Sequence, residues 1–149
     1  MKKTIIFFSH AVTMAHVGRP LRWIECLPHD QYEIYFCCDK KYKKMIEEKN
    51  LIFIDCPGID PETFLNRLHS GKTIYTGKVF QSHVERDLEI ISIYKPDLII
   101  GDFRHSLSVS SRLSKVKYIN ICNAYWSPKI RLPFPLPESP LVRLMGQRL

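Results

Sequence analysis

The chain has 149 residues, of which 45% are hydrophobic and 25% are charged. This is the length and balance of one soluble globular domain, which excludes a fibrous or disordered chain. The formal net charge of +7 favours anionic partners. The basic residues are scattered, however, and no basic stripe alternates with exposed aromatic residues, so we do not expect nucleic-acid binding.

The five cysteines include no CxxC pair and no zinc-ligand spacing. We therefore expect reduced, mostly buried thiols in a cytoplasmic protein without a metal or cofactor. The adjacent Cys37 and Cys38 should point to opposite faces of a strand. The apolar run at residues 5–8 is too short for a signal peptide, and no stretch is long enough to span a bilayer.

Short apolar runs alternate with helical patterns along the chain. The predicted strands cover residues 4–8, 32–38, 51–54, 98–100 and 118–122. The predicted helices run from about residue 19 to residue 27 and over residues 40–49, 62–69, 77–94 and 106–113. In the helix at 77–94, the predicted core-facing side chains are Phe80, Val84, Leu88 and Ile91.

This alternation predicts an α/β fold, a Rossmann-like parallel sheet of five strands with helices on both faces. Runs that are apolar throughout, such as TIIFF and DLII, suit strands that are buried on both sides. We assign residues 1–128 to this domain. Residues 129–149 contain several prolines and are predicted to form an extended segment that ends in a truncated helix.

Two histidines follow the first predicted strand. Pro20 fits the first turn of a helix, so the helix should begin near Arg19. That start leaves residues 9–18, with His10 and His16, as an unusually long connection, and long connections of this kind are often functional.

Asp102 is the first charged residue after the fourth strand. In the common strand order 3-2-1-4-5 the order reverses between strands one and four, and ligands bind beyond the carboxyl ends there. A carboxylate that accepts from one imidazole nitrogen of His16 would leave the other nitrogen to take a proton from a hydroxyl. The alternative, which the residues alone leave open, is that both side chains cap the helices beside them.

Three segments, HVGRPLRWIECLP, KPDLIIGDFRHSLSVSSRL and NICNAYWSP, resemble the N-terminal domain of glycosyltransferases with the GT-B fold. The most similar group is the UDP-glycosyltransferase-like family with its macrolide and natural-product members. The segments follow the family's order, and the resemblance that they carry extends over most of residues 1–128. The resemblance implies that His16 is the general base for an inverting sugar transfer to an acceptor hydroxyl, and that Asp102 pairs with it.

The resemblance also implies an acceptor site on this chain. The candidate contacts with the acceptor are His10, Arg104, Asn123, Tyr125 and Trp126. The tyrosine and the tryptophan offer a flat apolar wall for a ring, or equally an anchor for a packed loop. The alternatives are a surface loop position for the histidine and a polar cluster at a helix start for the arginine.

The sequence departs from the family pattern in three respects. Ala15 and His16 replace the frequent Gly-His pair, the spacing to Pro20 is one residue longer than in many members, and the donor-binding motif has no counterpart. The chain is therefore interpreted as a piece of a transferase, as a subunit of a split transferase, or as a non-catalytic module that contacts a partner protein or a membrane surface.

The first two interpretations imply the same partners. These are a nucleotide-sugar donor held by a second domain or by a donor-domain partner chain, and a small-molecule or lipid acceptor. The protein would be cytoplasmic, with a peripheral contact at the inner membrane face in the case of a lipid acceptor. The 149 residues alone should not catalyse transfer, because nothing in them would hold the leaving diphosphate.

Overall fold

The computed structural model describes residues 2–123, so Tyr125, Trp126 and the proline-rich segment at 129–149 lie outside the described residues. Five strands alternate with helices in this part of the chain. The elements are β1 (Lys3–Ser9), α1 (Ala15–Ile24), β2 (Tyr32–Cys38), a 3₁₀ turn (Lys40–Tyr42) that leads into α2 (Lys43–Glu47), β3 (Ile52–Asp55), α3 (Pro61–His69), α4 (Gly77–Tyr94), β4 (Leu98–Asp102), α5 (Leu107–Ser114) and β5 (Lys117–Ile121).

The strands form one parallel sheet in the order β3-β2-β1-β4-β5. The predicted Rossmann-like α/β fold is therefore confirmed, including the reversal of strand order between β1 and β4. In the pairing of these two strands, Ser9 lies opposite Asp102. The carboxyl ends of β1 and β4 thus lie side by side, which places the segments that follow them at one edge of the sheet.

Alternate residues of β1 enter two separate apolar cores. Ile5 and Phe7 pack with residues of α1 and α2 on one face of the sheet, and Ile6 and Phe8 pack with residues of α4 and α5 on the other. Because both faces are covered, every position from Ile5 to Ser9 is buried, which explains why the strand is apolar almost throughout.

Cys37 and Cys38 show the same alternation in β2. They belong to opposite cores, as predicted, and both are buried free thiols. Burial raises the pKa of Cys38 to about 12. The pair therefore fills space in the interior as small apolar side chains do.

Helix α1 begins at Ala15, four residues earlier than predicted, and it contains Pro20 in its interior. A proline has no N–H to donate to the carbonyl four residues before it, which here is that of His16. The hydroxyl of Ser9 donates to this carbonyl at 2.6 Å. Since Ser9 satisfies the oxygen that the proline leaves free, the helix continues through Pro20, and the connection from β1 is of ordinary length.

The buried face of α4 also differs from the prediction. Ile91 is buried as predicted, but the other buried residues are His83, Asp87 and Ile90, so the helix is rotated relative to the face predicted from the spacing of its large apolar side chains. The cause is an ion pair in the interior, in which the Arg104 guanidinium lies 2.9 Å from the carboxylate of Asp87. An apolar-periodicity argument cannot detect a core position that is occupied by a charged residue.

Arg104 is therefore an interior residue rather than a contact for an acceptor. Its side chain is 1% exposed, and it also donates to the carbonyls of Pro57, at 3.0 Å, and His83, at 3.4 Å. Ser106 donates to the second carboxylate oxygen of Asp87 at 2.6 Å. The guanidinium of Arg104 therefore joins the loop after β3 to α4, a buried position that does not fit the expected contact with an acceptor.

His10 is likewise buried, in contrast to both roles considered for it. Its Nε2 accepts from the backbone N–H of Ile59 at 2.7 Å, and its Nδ1 lies 2.9 Å from the Tyr75 hydroxyl. A Cβ at Gly58 would overlap the His10 ring, so only glycine allows this close packing. Burial lowers the pKa of His10 to about 3, and the charge of Arg104 acts in the same direction.

None of the helices in residues 2–123 combines the length and the apolar character that a membrane span requires.

Replacing Asp87 by Asn should lower the free energy of unfolding by about 3 kcal/mol, because the Arg104 guanidinium would remain buried without its counter-charge. Glu89→Gln on the same helix is the matched control, since Glu89 pairs with Arg86 on the exposed face and should change stability by less than about 1 kcal/mol. Urea unfolding of both variants measures the difference. Equal losses in the two variants would contradict the role given to this ion pair.

The stability of the domain should fall as the pH decreases below about 6.5, the ordinary pKa of histidine. The pKa of His10 is about 3 in the folded chain, so the unfolded chain binds the proton more tightly and acid favours unfolding. Between pH 7 and pH 5 this histidine alone should cost about 2 kcal/mol, from ~1.4 kcal/mol per pH unit.

Urea titrations at pH 7, 6 and 5 test this dependence. In His10→Asn the loss between pH 7 and pH 5 should be smaller by that amount, whereas it should be unchanged in His29→Asn, a substitution at an exposed histidine. The same pH dependence in the wild type and in His10→Asn would show that His10 is not the residue responsible.

Candidate functional site

The candidate site lies at the carboxyl ends of β1 and β4, where the strand order reverses. The backbone N–H of His10 donates to the carbonyl of Asp102 at 3.0 Å, which holds the start of the β1–α1 connection against the end of β4. This connection then enters α1, whose first turn carries His16. The fold therefore brings together two segments that are far apart in the sequence.

His16 and Asp102 are in direct contact. The Nδ1 atom of His16 lies 2.8 Å from Oδ1 of Asp102, and the exposed fractions of the two side chains are 12% and 0%. Because a carboxylate only accepts hydrogen bonds, Nδ1 carries the proton in this contact and Nε2 has the free lone pair. Among the described residues, no hydrogen bond to His16 Nε2 is present.

Arg19 is a third member of this cluster. Its Nη2 donates to Oδ1 of Asp102 at 2.7 Å, and its Nη1 donates to Oδ1 of Asn123 at 2.6 Å. The guanidinium therefore links α1, β4 and the segment that follows β5. From the sequence, Arg19 was used only to mark the predicted start of a helix. The spacing of three residues between His16 and Arg19 indicates a shared helix face only if both residues are helical. The predicted helix began near Arg19 and left His16 in the connection, so this signal was missed.

Phe103, the residue after Asp102, packs against the face of the His16 imidazole. Its ring is stacked on that of His16, with a centroid distance of 4.4 Å and an interplanar angle of 14°. Its φ of +57° lies in the left-handed region, which costs roughly 1–2 kcal/mol for a residue with a side chain. The left-handed residue turns the chain sharply after β4, and the stacked ring restricts the orientation of His16.

A small cavity of about 50 Å³ adjoins the cluster, and Arg19, Phe103, His105, Ile121 and Asn123 are among the residues that line it. The ring of His105 lies 4.8 Å from that of Phe103. Burial lowers the pKa of His105, and the nearby His16 adds to this effect. The cavity is therefore lined by two aromatic rings together with Arg19 and Asn123.

The structure separates the predicted site residues into three groups. His16, Asp102 and Asn123 lie together at the sheet edge, joined through Arg19. His10 and Arg104 lie in the interior, with their polar atoms bonded to other residues. Tyr125 and Trp126 lie outside the described residues, so their contacts with an acceptor stay a prediction. Within residues 2–123, no group of histidine, cysteine and acidic side chains could hold a metal ion.

No family model matches the chain. Curated relatives, in contrast, match over nearly all of it. The chain is 39% identical over 148 residues to a PGL/p-HBAD biosynthesis rhamnosyltransferase of Mycobacterium bovis (strain BCG / Pasteur 1173P2), a match that covers 99% of this chain and 33% of that protein. It is 35% identical over 147 residues to a protein of the same strain named inactive PGL/p-HBAD biosynthesis glycosyltransferase, covering 99% of this chain and 40% of that protein.

Solved structures of transferases share the fold. The spinosyn forosaminyltransferase SpnP matches 80% of this chain with a TM-score of 0.59 and 12% identity, and the match covers 31% of that chain. The spinosyn rhamnosyltransferase SpnG complexed with thymidine diphosphate matches 79% of this chain with a TM-score of 0.52 and 10% identity, covering 34% of that chain.

The chain thus spans between a third and two fifths of the length of these curated relatives. The resemblance predicted from the three sequence segments is confirmed: this chain is related to glycosyltransferases and has the fold of one part of a GT-B enzyme.

Proposed function

We propose that this chain is the acceptor-binding domain of an inverting glycosyltransferase, which transfers a sugar from a nucleotide-sugar donor to an acceptor hydroxyl. The observation that carries the proposal is the 2.8 Å contact between His16 Nδ1 and Asp102 Oδ1 at the reversal of strand order. Ligands of doubly wound sheets bind at this place.

In the proposed reaction His16 is the general base. Its Nε2 takes the proton of the acceptor hydroxyl while the hydroxyl oxygen forms a bond to the anomeric carbon of the donor sugar. The bond from that carbon to the diphosphate breaks, and the nucleoside diphosphate leaves with the electron pair. Attack from the side opposite to the leaving group inverts the configuration. Asp102 holds the imidazole in the productive tautomer and stabilises the imidazolium that forms.

The aromatic wall beside the base supports binding of an acceptor at this edge. Phe103 and His105 line a cavity of about 50 Å³ next to Arg19, which is much smaller than the ~300–1,000 Å³ of a typical small-molecule site, so an acceptor would extend beyond it. Asn123 lies at the same edge through its bond to Arg19. The proposed site is therefore formed by the ends of β1, β4 and β5.

The donor must be held by residues outside this part of the molecule. Residues 1–123 contain no glycine-rich phosphate loop, and the chain spans about a third of the rhamnosyltransferase that it matches. Because one relative is named a rhamnosyltransferase and a structural neighbour was solved with thymidine diphosphate, we propose a nucleoside diphosphate deoxysugar as the first donor to test.

One finding favours a second candidate function. A relative that is 35% identical over 147 residues is named an inactive glycosyltransferase. A chain of this fold can therefore persist without transfer activity, and a non-catalytic binding module is the alternative for this chain. The two functions differ in whether His16 is required for turnover.

Replacing His16 by Ala should reduce kcat at least a hundredfold, since general-base catalysis contributes about 10²–10⁴. The assay uses the transferase that contains this chain, or this chain combined with its donor-binding partner, and follows release of the nucleoside diphosphate. His69→Ala, at an exposed histidine in the last turn of α3, is the matched control and should leave kcat unchanged. Unchanged turnover in His16→Ala would contradict the proposed role of His16.

This chain alone should show no sugar transfer with any member of a panel of nucleotide sugars, beginning with thymidine diphosphate rhamnose. Addition of a donor-binding domain or partner chain should produce activity. An acceptor that supports turnover should also bind to this chain alone, with chemical-shift changes at Phe103 and His105. Transfer by this chain without any addition would contradict the division into acceptor and donor sides.

A further inference from the structure

We infer that Arg19 is a positioning residue for the proposed base: its guanidinium balances the charge of Asp102, so that His16 is kept as the neutral imidazole with its hydrogen on Nδ1. This inference rests on the proposed function for its catalytic meaning. The interactions that support it are present in this chain and do not depend on a donor.

The inference starts from the surroundings of the Asp102 carboxylate. Its side chain is 0% exposed, and one oxygen, Oδ1, is contacted by both His16 Nδ1 at 2.8 Å and Arg19 Nη2 at 2.7 Å. The other oxygen, Oδ2, is buried and has no hydrogen-bond partner among the described residues. Among the described residues, the Asp102 carboxylate is therefore hydrogen-bonded only through the two contacts at Oδ1.

A buried carboxylate requires a counter-charge or a proton. Arg19 supplies a permanent positive charge, because a guanidinium does not lose its proton in proteins. His16 can supply one only by taking a second proton on Nε2. With Arg19 in place, Asp102 can stay ionised beside a neutral imidazole, and Nε2 keeps the lone pair that a general base needs.

The position of Arg19 also disfavours a doubly protonated His16. The Nη2 atom lies 3.0 Å from His16 Nδ1, and two positive groups at this separation repel each other. The titratable or charged side chains that contact His16 or lie near it in the described part are Asp102, Arg19 and His105. Because burial lowers the pKa of His105, that ring is neutral near pH 7 and adds no positive charge beside His16.

Asn123 holds the guanidinium in this position from the other side. Its Oδ1 accepts from Arg19 Nη1 at 2.6 Å, so the segment after β5 fixes the orientation of the side chain that contacts Asp102. The exposed fraction of the Arg19 side chain is 32%, which leaves part of it at the cavity beside the base. The side chain that balances the charge of Asp102 therefore also lines the cavity formed with Phe103 and His105.

The protonation state of His16 can be measured directly in this chain by ¹⁵N NMR of the imidazole nitrogens at pH 7.5. In the wild type we expect a neutral ring with hydrogen on Nδ1. In Arg19→Met the ratio of doubly protonated to neutral His16 should rise about tenfold, the effect expected when one charge within ~4–6 Å is removed. Arg22→Met, on the same helix but paired with Glu25 at the exposed surface, is the matched control and should leave the His16 signals unchanged.

A doubly protonated His16 in the wild type, or the same protonation in Arg19→Met as in the wild type, would overturn the inference. Arg19→Gln gives a second test if the methionine variant does not fold, because glutamine retains a hydrogen-bond donor without the charge. It should produce the same increase, whereas Arg19→Lys should remain close to the wild type.

Turnover provides an independent readout in the transferase that contains this chain. Arg19→Met should lower kcat severalfold at pH 7, because a smaller fraction of His16 is then neutral, and raising the pH should restore it, since the surplus proton on His16 is then lost. A purely structural role of Arg19 would lower kcat equally at every pH and would contradict the inference. If His16→Ala retains full turnover while Arg19→Met still changes the His16 signals, the proposed function fails and the charge balance stands.

Discussion

The candidate site depends on one buried carboxylate. Asp102 ends β4 without any exposed surface, and a charge in that position is tolerated only where partners surround it. His16 and Arg19 both reach its Oδ1 because α1 follows the neighbouring strand β1 after a short connection. The imidazole and the guanidinium are both oriented toward this charge. Asn123 in turn holds the guanidinium in place.

A second buried aspartate shows the same constraint with a different result. Asp87 is enclosed by Arg104, Ser106 and Ser110 in the interior, and no part of that network is open to a ligand. Burial raises the pKa of Asp87, against the opposing effects of the arginine and the serine hydroxyls. One acid–base network therefore joins α4 to α5, while the other lies at the sheet edge with an accessible imidazole. Both networks pair a buried aspartate with an arginine, so they differ in their position in the fold and not in these residue types.

Several local features of the chain hold the site in shape. Ser9 satisfies the His16 carbonyl that Pro20 leaves without a donor, and neutral His10 anchors the start of the β1–α1 connection to Ile59 and Tyr75. Phe103 adopts a left-handed backbone conformation and stacks on His16. Conformational strain of this kind persists only where surrounding contacts determine the position, and it is frequent at functional sites.

The sequence by itself determined the α/β fold, most element bounds within a few residues, the relationship to glycosyltransferases and the positions of His16 and Asp102 at one edge. These follow from apolar periodicity, from the topology of parallel sheets and from the three resembling segments. Only the tertiary structure decided that Arg104 and His10 are interior residues, that α4 turns Asp87 inward and that Arg19 contacts Asp102. Each of these depends on a pairing between segments distant in sequence, and the sign of a charge does not reveal whether its partner lies in solvent or in the core.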